Sequence, residues 1–487
     1  MWQRLFRRFQ PNATTLQGQL RDMIVGAILE GFLAPGAAIP STRTLARTLK
    51  VSRLTVTLAL QALADKGFLV SRPRSGFYVS TALQSTPFGA RDVRSAALPD
   101  AMPPTPWTRR LVFKPSTQRN ISKPADWQRR PFPFIFGQFD ASLFPLRDWR
   151  SCVNESLQSA AVMGWAQDRV NSDDEQLVDQ IHQRLLPARG IWVRRDEILV
   201  TAGAQQGMYM LATLLLDGKS VVGIENPGYP DARNNFLLRT QKVVPLPVDG
   251  GGLVLGAGLG RCDCVYVTPS HQCPTTVTMP LDRRQALLDR ALQDDFIVIE
   301  DDHESELNFS GRPTPALKSL DRAGRVVYLG SLSKTLAHGL RLGYVVAPKE
   351  LIHELRALRR LIMRHPATNN ENAAALFIAH GFQESYLRRL NLAYRERASA
   401  LRAALSTYAP DWQFHDALGG SALWVQTPPG TDTRLLAARA LEQGVVIEPG
   451  EVFFANAQPP LNFMRIGYSS IALNRIEEGV RRLSGLL

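Results

Sequence analysis

Residues 35–79 read "PGAAIPSTRTLARTLKVSRLTVTLALQALADKGFLVSRPRSGFYV", and the spacing of their apolar residues decides the architecture of this end of the chain. Ser41 stands where a side-chain oxygen caps the free amides of a first helical turn, and Leu45 and Leu49 follow one turn apart. After a tight turn Ser52 caps a second helix, on which Val56, Leu60 and Leu63 share a face and Gly67 supplies the stop. Upstream, Leu16, Leu20, Met23, Ile24, Ala27 and Ile28 recur at helical spacing until "GFLAPG" breaks the run. Downstream, "FLVSRPRSGFYV" is two short β-prone runs around an Arg-Pro-Arg-Ser-Gly turn. Together these predict a helix-turn-helix with a hairpin wing over residues 14–80.

Charge distribution gives that unit a partner. The whole chain of 487 residues carries a formal +13, and residues 1–80 hold eleven Lys/Arg against three acids, a net of +8. A recognition helix presents its first residues to the major groove, so Ser52, Arg53 and Thr55 are expected at phosphates or base edges of double-stranded DNA. Arg72 and Arg74, at the wing tip, are placed to approach the minor groove or the backbone. The alternative is a solvated basic surface on a small helical domain. Residues 14–80 also resemble the winged helix of GntR-type bacterial regulators, almost end to end. The resemblance adds Arg43, of the Pro-Ser-x-Arg motif, to the DNA contacts.

Residues 81–130 contain seven prolines and little periodicity, which predicts an extended linker. From 131 to 487, helical patterns alternate with apolar runs, "EILVTA", "SVVGIE", "CVYVTP", "FIVIED", "RVVYLG" and "LGYVVA". Apolar strands separated by helices imply a mixed, mostly parallel α/β sheet covered on both faces, with ligands at the carboxyl ends of the strands. Those ends carry "TAGAQQG", "ENPGYP", "TPSHQCPTT", "EDDHESE" and "GSLSK". Each alone reads equally well as an ordinary turn or solvated end. In sum they supply a phosphate seat, an aromatic ring, a carboxylate, a lysine and a cation, the set that pyridoxal phosphate requires.

At these motifs residues 131–487 resemble a fold-type I aminotransferase domain with a smaller C-terminal α+β subdomain, and the whole chain resembles the MocR subgroup of GntR regulators. The resemblance implies pyridoxal 5'-phosphate as cofactor, with Lys334 forming the internal aldimine. Ser331, Ser333 and Arg341, with the amides around Ala204 and Gln205, match the groups that hold the phosphate. Asp301 matches the acid facing the ring nitrogen and Tyr229 the aromatic stacked on the ring, with His271 and Gln272 close by. Arg465 matches the arginine that grips a ligand carboxylate, a task suited to its planar fork.

Several positions depart from the family pattern. His303 stands where a tyrosine usually donates to the ring hydroxyl, Cys273 where an asparagine orients the ring, and His338 where proline is common. The glycine and Leu-Arg pair usual around "WAQDRVNSDDEQLV" are missing or displaced. These changes spare the cofactor-binding set and fall on groups that tune it. The implied function is therefore a transcription regulator that senses an amino compound through aldimine exchange at Lys334. The alternative is a working aminotransferase with an auxiliary DNA-binding head. The family also implies a homodimer, head-to-tail and domain-swapped, on paired operator half-sites.

The remaining expectations come from the totals. No apolar run approaches the roughly 18 residues of a membrane span, and the basic N-terminus lacks the pattern of a secretory signal, so the expected compartment is the cytoplasm. Cys152, Cys262, Cys264 and Cys273 lack the spacing of a disulfide framework or zinc site. Alternation puts Cys262 and Cys264 on one strand face, as packing residues rather than metal ligands.

Overall fold

The computed structural model describes residues 2, 5, 15–73, 75–84, 107–309, 314–333, 336–416 and 419–487. Two units emerge, one up to Leu111 and one from Val112 to Leu487. In the first, helix α1 spans Leu16–Leu29, α2 Thr42–Leu49 and α3 Arg53–Asp65. The caps form at the expected serines: Ser41 Oγ accepts from the Thr44 amide at 3.2 Å and Ser52 Oγ from the Thr55 amide at 3.0 Å. Lys50, in a left-handed conformation, ends α2, and Gly67 at φ +78° ends α3. Strands β1 (Leu69–Arg72) and β2 (Gly76–Val79) pair antiparallel as the wing. Leu20, Met23, Ile24, Leu45, Val56, Leu60 and Leu63 are fully buried together, each contributing about 1.5–3 kcal/mol by removal from water. Leu16, counted on the apolar face from its spacing, is half exposed at the helix start.

The second unit is built on an eight-stranded sheet: β3 (Ile198–Thr201), β4 (Val222–Asn226), β5 (Val243–Asp249), β6 (Gly252–Leu253), β7 (Cys264–Val267), β8 (Ile297–Asp301), β9 (Val326–Ser331) and β10 (Gly343–Val346). Their order is β3-β10-β9-β8-β7-β4-β5-β6. The pairs β9·β8, β8·β7, β7·β4 and β4·β5 are parallel, while β10 runs against both its neighbours. The sheet is mixed and mostly parallel, as the uninterrupted apolar runs imply.

Helices cover both faces. α4 (Ala204–Leu215) and α7 (Lys349–Met363) pack on Leu199, Ile224, Tyr266, Ile299 and Leu329. On the other face α6 (Leu281–Gln293) packs on Val265, Val267, Val298 and Val326. Between α4 and α6 in the chain lies α5 (Pro230–Phe236). The two cysteines do not share a face: Cys264 packs with the first cluster and Cys262 with the second. The strand begins only at Cys264, and Cys262 closes the preceding turn, where strand alternation does not apply.

A smaller sheet of β11 (Gln413–Phe414), β12 (Ala422–Gln426), β13 (Glu448–Pro449) and β14 (Phe463–Gly467), in the order β11-β12-β14-β13, lies toward the C-terminus. Residues 134–138 run along it. The Gly467 amide donates to the Phe134 carbonyl at 3.1 Å, and a Cβ on Gly467 would stand 2.2 Å from the Ile135 carbonyl carbon. That close approach sets Phe136 over Arg465.

The linker expectation is corrected for residues 112–130, which belong to the second unit. The Arg119 guanidinium donates to the Phe454 and Asn456 carbonyls at 3.1 and 3.0 Å. The Arg119 carbonyl in turn accepts from Arg233 and Asn234. Ile121 packs on the cluster of Cys273, Trp424, Phe453 and Phe454. A proline-rich segment of this kind still finds partners, because its side chains dock on carbonyls left free by a loop.

Candidate functional site

Thr201, Asn226, Val267, Asp301 and Ser331 end five strands that run the same way, and a cavity of about 310 Å³ opens beside these ends. Its walls include Asp301, Tyr229, Ser331, Ser333, Arg341, Ala204, Gln205 and His303, all expected from the sequence, together with Phe136, Cys273 and His338. Lys334 lies outside the described residues.

One end of the cavity is a cradle for an anion. Gly203, at φ +80°, opens α4, and a Cβ there would stand 2.8 Å from Arg341 Nη2. Arg341 holds a left-handed conformation, and Gly343 leaves no room for a side chain, since its Cβ would stand 2.7 Å from the Ala204 amide nitrogen. Free helix amides, two serine hydroxyls and a guanidinium thus meet at one place, a set suited to a phosphate.

Asp301 is buried, and Tyr266 donates its phenol to Oδ2 at 2.6 Å. Burial first, and then that carboxylate, push the Tyr266 phenol well above its ordinary range, so it remains a donor. Asp301 Oδ1 accepts no hydrogen bond from the described residues, and His303 Nδ1 is 3.9 Å from it. A buried carboxylate oxygen without a donor is costly unless a cationic group arrives to meet it. Tyr229 lies at the cavity wall with its hydroxyl donating to Asp231 at 2.9 Å. His303 stands edge-on to Phe136, with ring centroids 6.5 Å apart.

Behind this wall lies a hydrogen-bonded layer. Gln272 does not reach the main cavity: its amide donates to Glu225 Oε2 at 3.1 Å and to the Pro227 carbonyl at 2.9 Å, while its oxygen accepts from Thr275. Glu225 Oε2 also accepts from Thr268 Oγ1 at 2.6 Å, and burial pushes this carboxyl up to about 7. His271 borders a small recess beside the cavity, and burial lowers its imidazole to about 4, so it is neutral near pH 7. Asp302 pairs with Arg189, Nε to Oδ2 at 2.7 Å, and accepts from Tyr328 at 2.8 Å. Burial works against its charge, but Arg189 wins and holds the carboxyl below its usual range.

Arg465, expected at a ligand carboxylate, borders the same recess. It is buried, its Nε donates to Glu448 Oε2 at 2.9 Å, and its guanidinium lies 4.0 Å from the Phe136 ring centre and 4.7 Å from that of Phe453. Glu448 and Arg465 are direct partners across β13 and β14. Sequence reasoning missed Glu448, Tyr266 and Phe136. A lone carboxylate in "VVIEPG" and a lone tyrosine in "CVYVTP" were the available signals, and both needed the strand register to acquire partners.

On the first unit, Arg43, Ser52, Arg53 and Arg72 are exposed and Thr55 is half-buried. Arg53 Nε donates to Thr42 Oγ1 at 3.4 Å, which brings the start of α3 to the start of α2. In the wing the Arg72 guanidinium lies 4.4 Å from the Tyr78 ring centre. Arg74 lies outside the described residues.

Comparison with known proteins agrees with both units. Residues 16–79 match the model for bacterial regulatory proteins of the gntR family, and residues 153–483 that for aminotransferase class I and II. The HTH-type transcriptional regulator TauR of Rhodobacter capsulatus is 40% identical over 474 residues, which cover 97% of this chain and 96% of TauR. The chain is a MocR-type regulator of the GntR family. A probable rhizopine catabolism regulatory protein, MocR of Rhizobium meliloti, is 29% identical over 471 residues, 96% of this regulator and 92% of MocR. Among solved structures, LysN, the alpha-aminoadipate aminotransferase of Thermus thermophilus, superposes with a TM-score of 0.70 at 29% identity, over 78% of this regulator and 97% of that chain. The winged helix of the regulator binds DNA and its aminotransferase domain takes pyridoxal phosphate. The donor set fits that cofactor: a cradle for its phosphate, a spare carboxylate oxygen for its ring nitrogen and an aromatic wall. Among the described residues no helix is long and apolar enough to cross a membrane.

Proposed function

We propose that this regulator senses an amino compound bearing an acidic group at its cofactor site, and that the occupied site alters how the winged helices hold operator DNA. One observation carries the reading: a single cavity brings together Asp301, Tyr229, Ser331, Ser333 and Arg341, the groups a phosphorylated pyridine requires. When bound, pyridoxal phosphate supplies an aldehyde carbon that condenses reversibly with amines. Ser331, Ser333, Arg341 and the amides of Ala204 and Gln205 would hold its phosphate, Asp301 its ring nitrogen, and Tyr229 its face. Lys334 would hold the aldehyde until an effector amine replaces it. His271, neutral, and Gln272, fully bonded, keep the wall behind the ring in place, and His303 Nδ1 stands beside Asp301. Arg465 would meet the effector's acidic group.

The effector shifts the regulator only insofar as it binds two body states with different affinity. In this reading the protein acts in the cytoplasm as a domain-swapped homodimer, each head on one half-site, with Arg43, Ser52, Arg53, Thr55, Arg72 and Arg74 on the DNA. The residues 14–80, 81–130 and 131–487 then serve as head, connection and sensor, with the last part of the connection docked on the sensor.

A second reading, a working transaminase, draws on the retained cavity and on the likeness to LysN. Purified protein incubated with amino donors and a keto acid separates the two. The sensor gives a change in the cofactor's visible absorbance and in DNA retention with negligible keto-acid turnover, whereas sustained turnover near about ten per second would overturn it. Lys334→Ala is expected to abolish the absorbance response while leaving operator affinity in place.

A further inference from the structure

Arg465 is 2% exposed and Glu448 4%. Besides Arg465 Nε, Glu448 Oε2 accepts the Phe136 amide at 3.2 Å. The guanidinium is thus held at Nε by a carboxylate and lies over two phenyl rings. Its two terminal nitrogens make no hydrogen bond to the described residues, and Arg465 borders the recess that shares Phe136, Cys273 and His303 with the cofactor cavity. Burial works against the charge of Arg465, and Glu448, helped by Cys273 and Glu304, more than offsets it and holds the guanidinium above its ordinary value. Charged forms in such a place are either paired or expelled.

The charges around the recess then sum in an unusual way. Arg465 contributes one positive charge, Glu448 cancels it, and Glu304, also buried and bordering the recess, adds a further carboxylate that accepts from Ser421 at 2.7 Å. His271 is neutral. Among the described residues of cavity and recess, the other guanidinium is Arg341, which belongs to the cradle at α4. An oxyanion arriving at Arg465 finds two donors in a planar fork but no surplus of positive field. Among the described residues of cavity and recess, a second oxyanion on the same molecule finds no further guanidinium, and it meets the Glu304 carboxylate at the recess.

We propose that Glu448 is a specificity-determining residue that restricts this pocket to amino compounds with one acidic group and excludes amino dicarboxylates. The inference rests on the sensing reading above. It makes rejection, rather than attraction, the source of selectivity: Glu448 keeps Arg465 buried and leaves it no surplus positive field, and Glu304 at the recess repels a second oxyanion.

The test uses the full chain with its cofactor bound, titrated with β-alanine, 4-aminobutanoate, L-aspartate and L-glutamate while visible absorbance is followed. The wild type is expected to half-saturate with the single-acid amines at concentrations at least about tenfold lower than with the dicarboxylates. Glu448→Gln keeps an oxygen for Arg465 Nε and the Phe136 amide but removes the charge. It is expected to narrow that ratio by about tenfold, through tighter dicarboxylate binding, with cofactor absorbance unchanged and a lowered unfolding temperature, since the buried Arg465 loses its counter-charge. A merely structural Glu448 would weaken all four ligands together, which would overturn the proposal, as would a wild type that prefers the dicarboxylates. A wild type that prefers the dicarboxylates overturns the proposal even where the variant does not fold. A wild-type spectrum that none of the four moves overturns the sensing reading, and this inference with it.

Discussion

Replacing Glu225 by Gln tests the buried layer behind the cofactor wall. Glu225 is 2% exposed, three donors converge on its Oε2, and Oε1 has no partner among the described residues. Burial raises its carboxyl from 4.5 to about 7, so the folded protein keeps the proton where the unfolded chain has lost it. For a raised folded value, the stabilising contribution is complete below 4.5 and is lost as pH climbs through 7. The loss amounts to about 3 kcal/mol, from 2.5 pH units at about 1.4 kcal/mol each. Gln keeps an oxygen for Thr268 and Gln272 and does not titrate. In acid, the neutral acid leaves one hydrogen and the amide two without an acceptor at the Oε1 position, so the difference between the two proteins near pH 4.5 sets a baseline offset. By pH 8 that difference should have moved by about 3 kcal/mol in favour of the variant. Urea unfolding followed by near-ultraviolet circular dichroism at several pH values measures the difference. A gap that stays constant with pH would refute the reasoning.

Arg53→Ala should weaken operator binding and reduce the slope of log affinity against log salt by about 1, measured by fluorescence anisotropy, with cofactor absorbance intact. Gly343→Ala drives a methyl to within 2.7 Å of the Ala204 amide nitrogen, so the cradle must shift. Cofactor retention on dialysis should fall by about tenfold or more. Asp301→Asn places an amide NH2 where Oδ1 stands, because Tyr266 keeps the oxygen for its own hydrogen bond. A protonated ring nitrogen then faces a donor, and equilibrium dialysis should show about tenfold weaker cofactor binding with a displaced absorbance band.

The head was almost fully legible because its information is local: caps at Ser41 and Ser52 and a stripe of Leu45, Leu49, Val56, Leu60 and Leu63 fix helices without reference to distant residues. The cavity was legible for a different reason. Ligand groups at strand ends each carry a motif, and the parallel topology collects those ends on one edge. What escaped the sequence is pairwise. Glu448 meets Arg465 only through the register of two short strands, Tyr266 meets Asp301 across neighbouring strands, and Gln272 turns away from the cavity to satisfy Glu225 and Pro227. Cys262 shows the same limit on a small scale, since alternation carries no meaning outside a strand.

The docking of residues 115–129 has a practical side. A sensor fragment begun at residue 131 would lose the Arg119 carbonyl that accepts from Asn234 and Arg233, and the guanidinium that ties down the Phe454 and Asn456 carbonyls. It would also bare the aromatic patch under Ile121, whose members Phe453 and Trp424 stand beside Arg465 and Phe463. Dissecting this regulator therefore calls for a cut before Val112. A shorter piece would unpick the wall of the pocket it was made to study, and would expose a hydrophobic face prone to self-association.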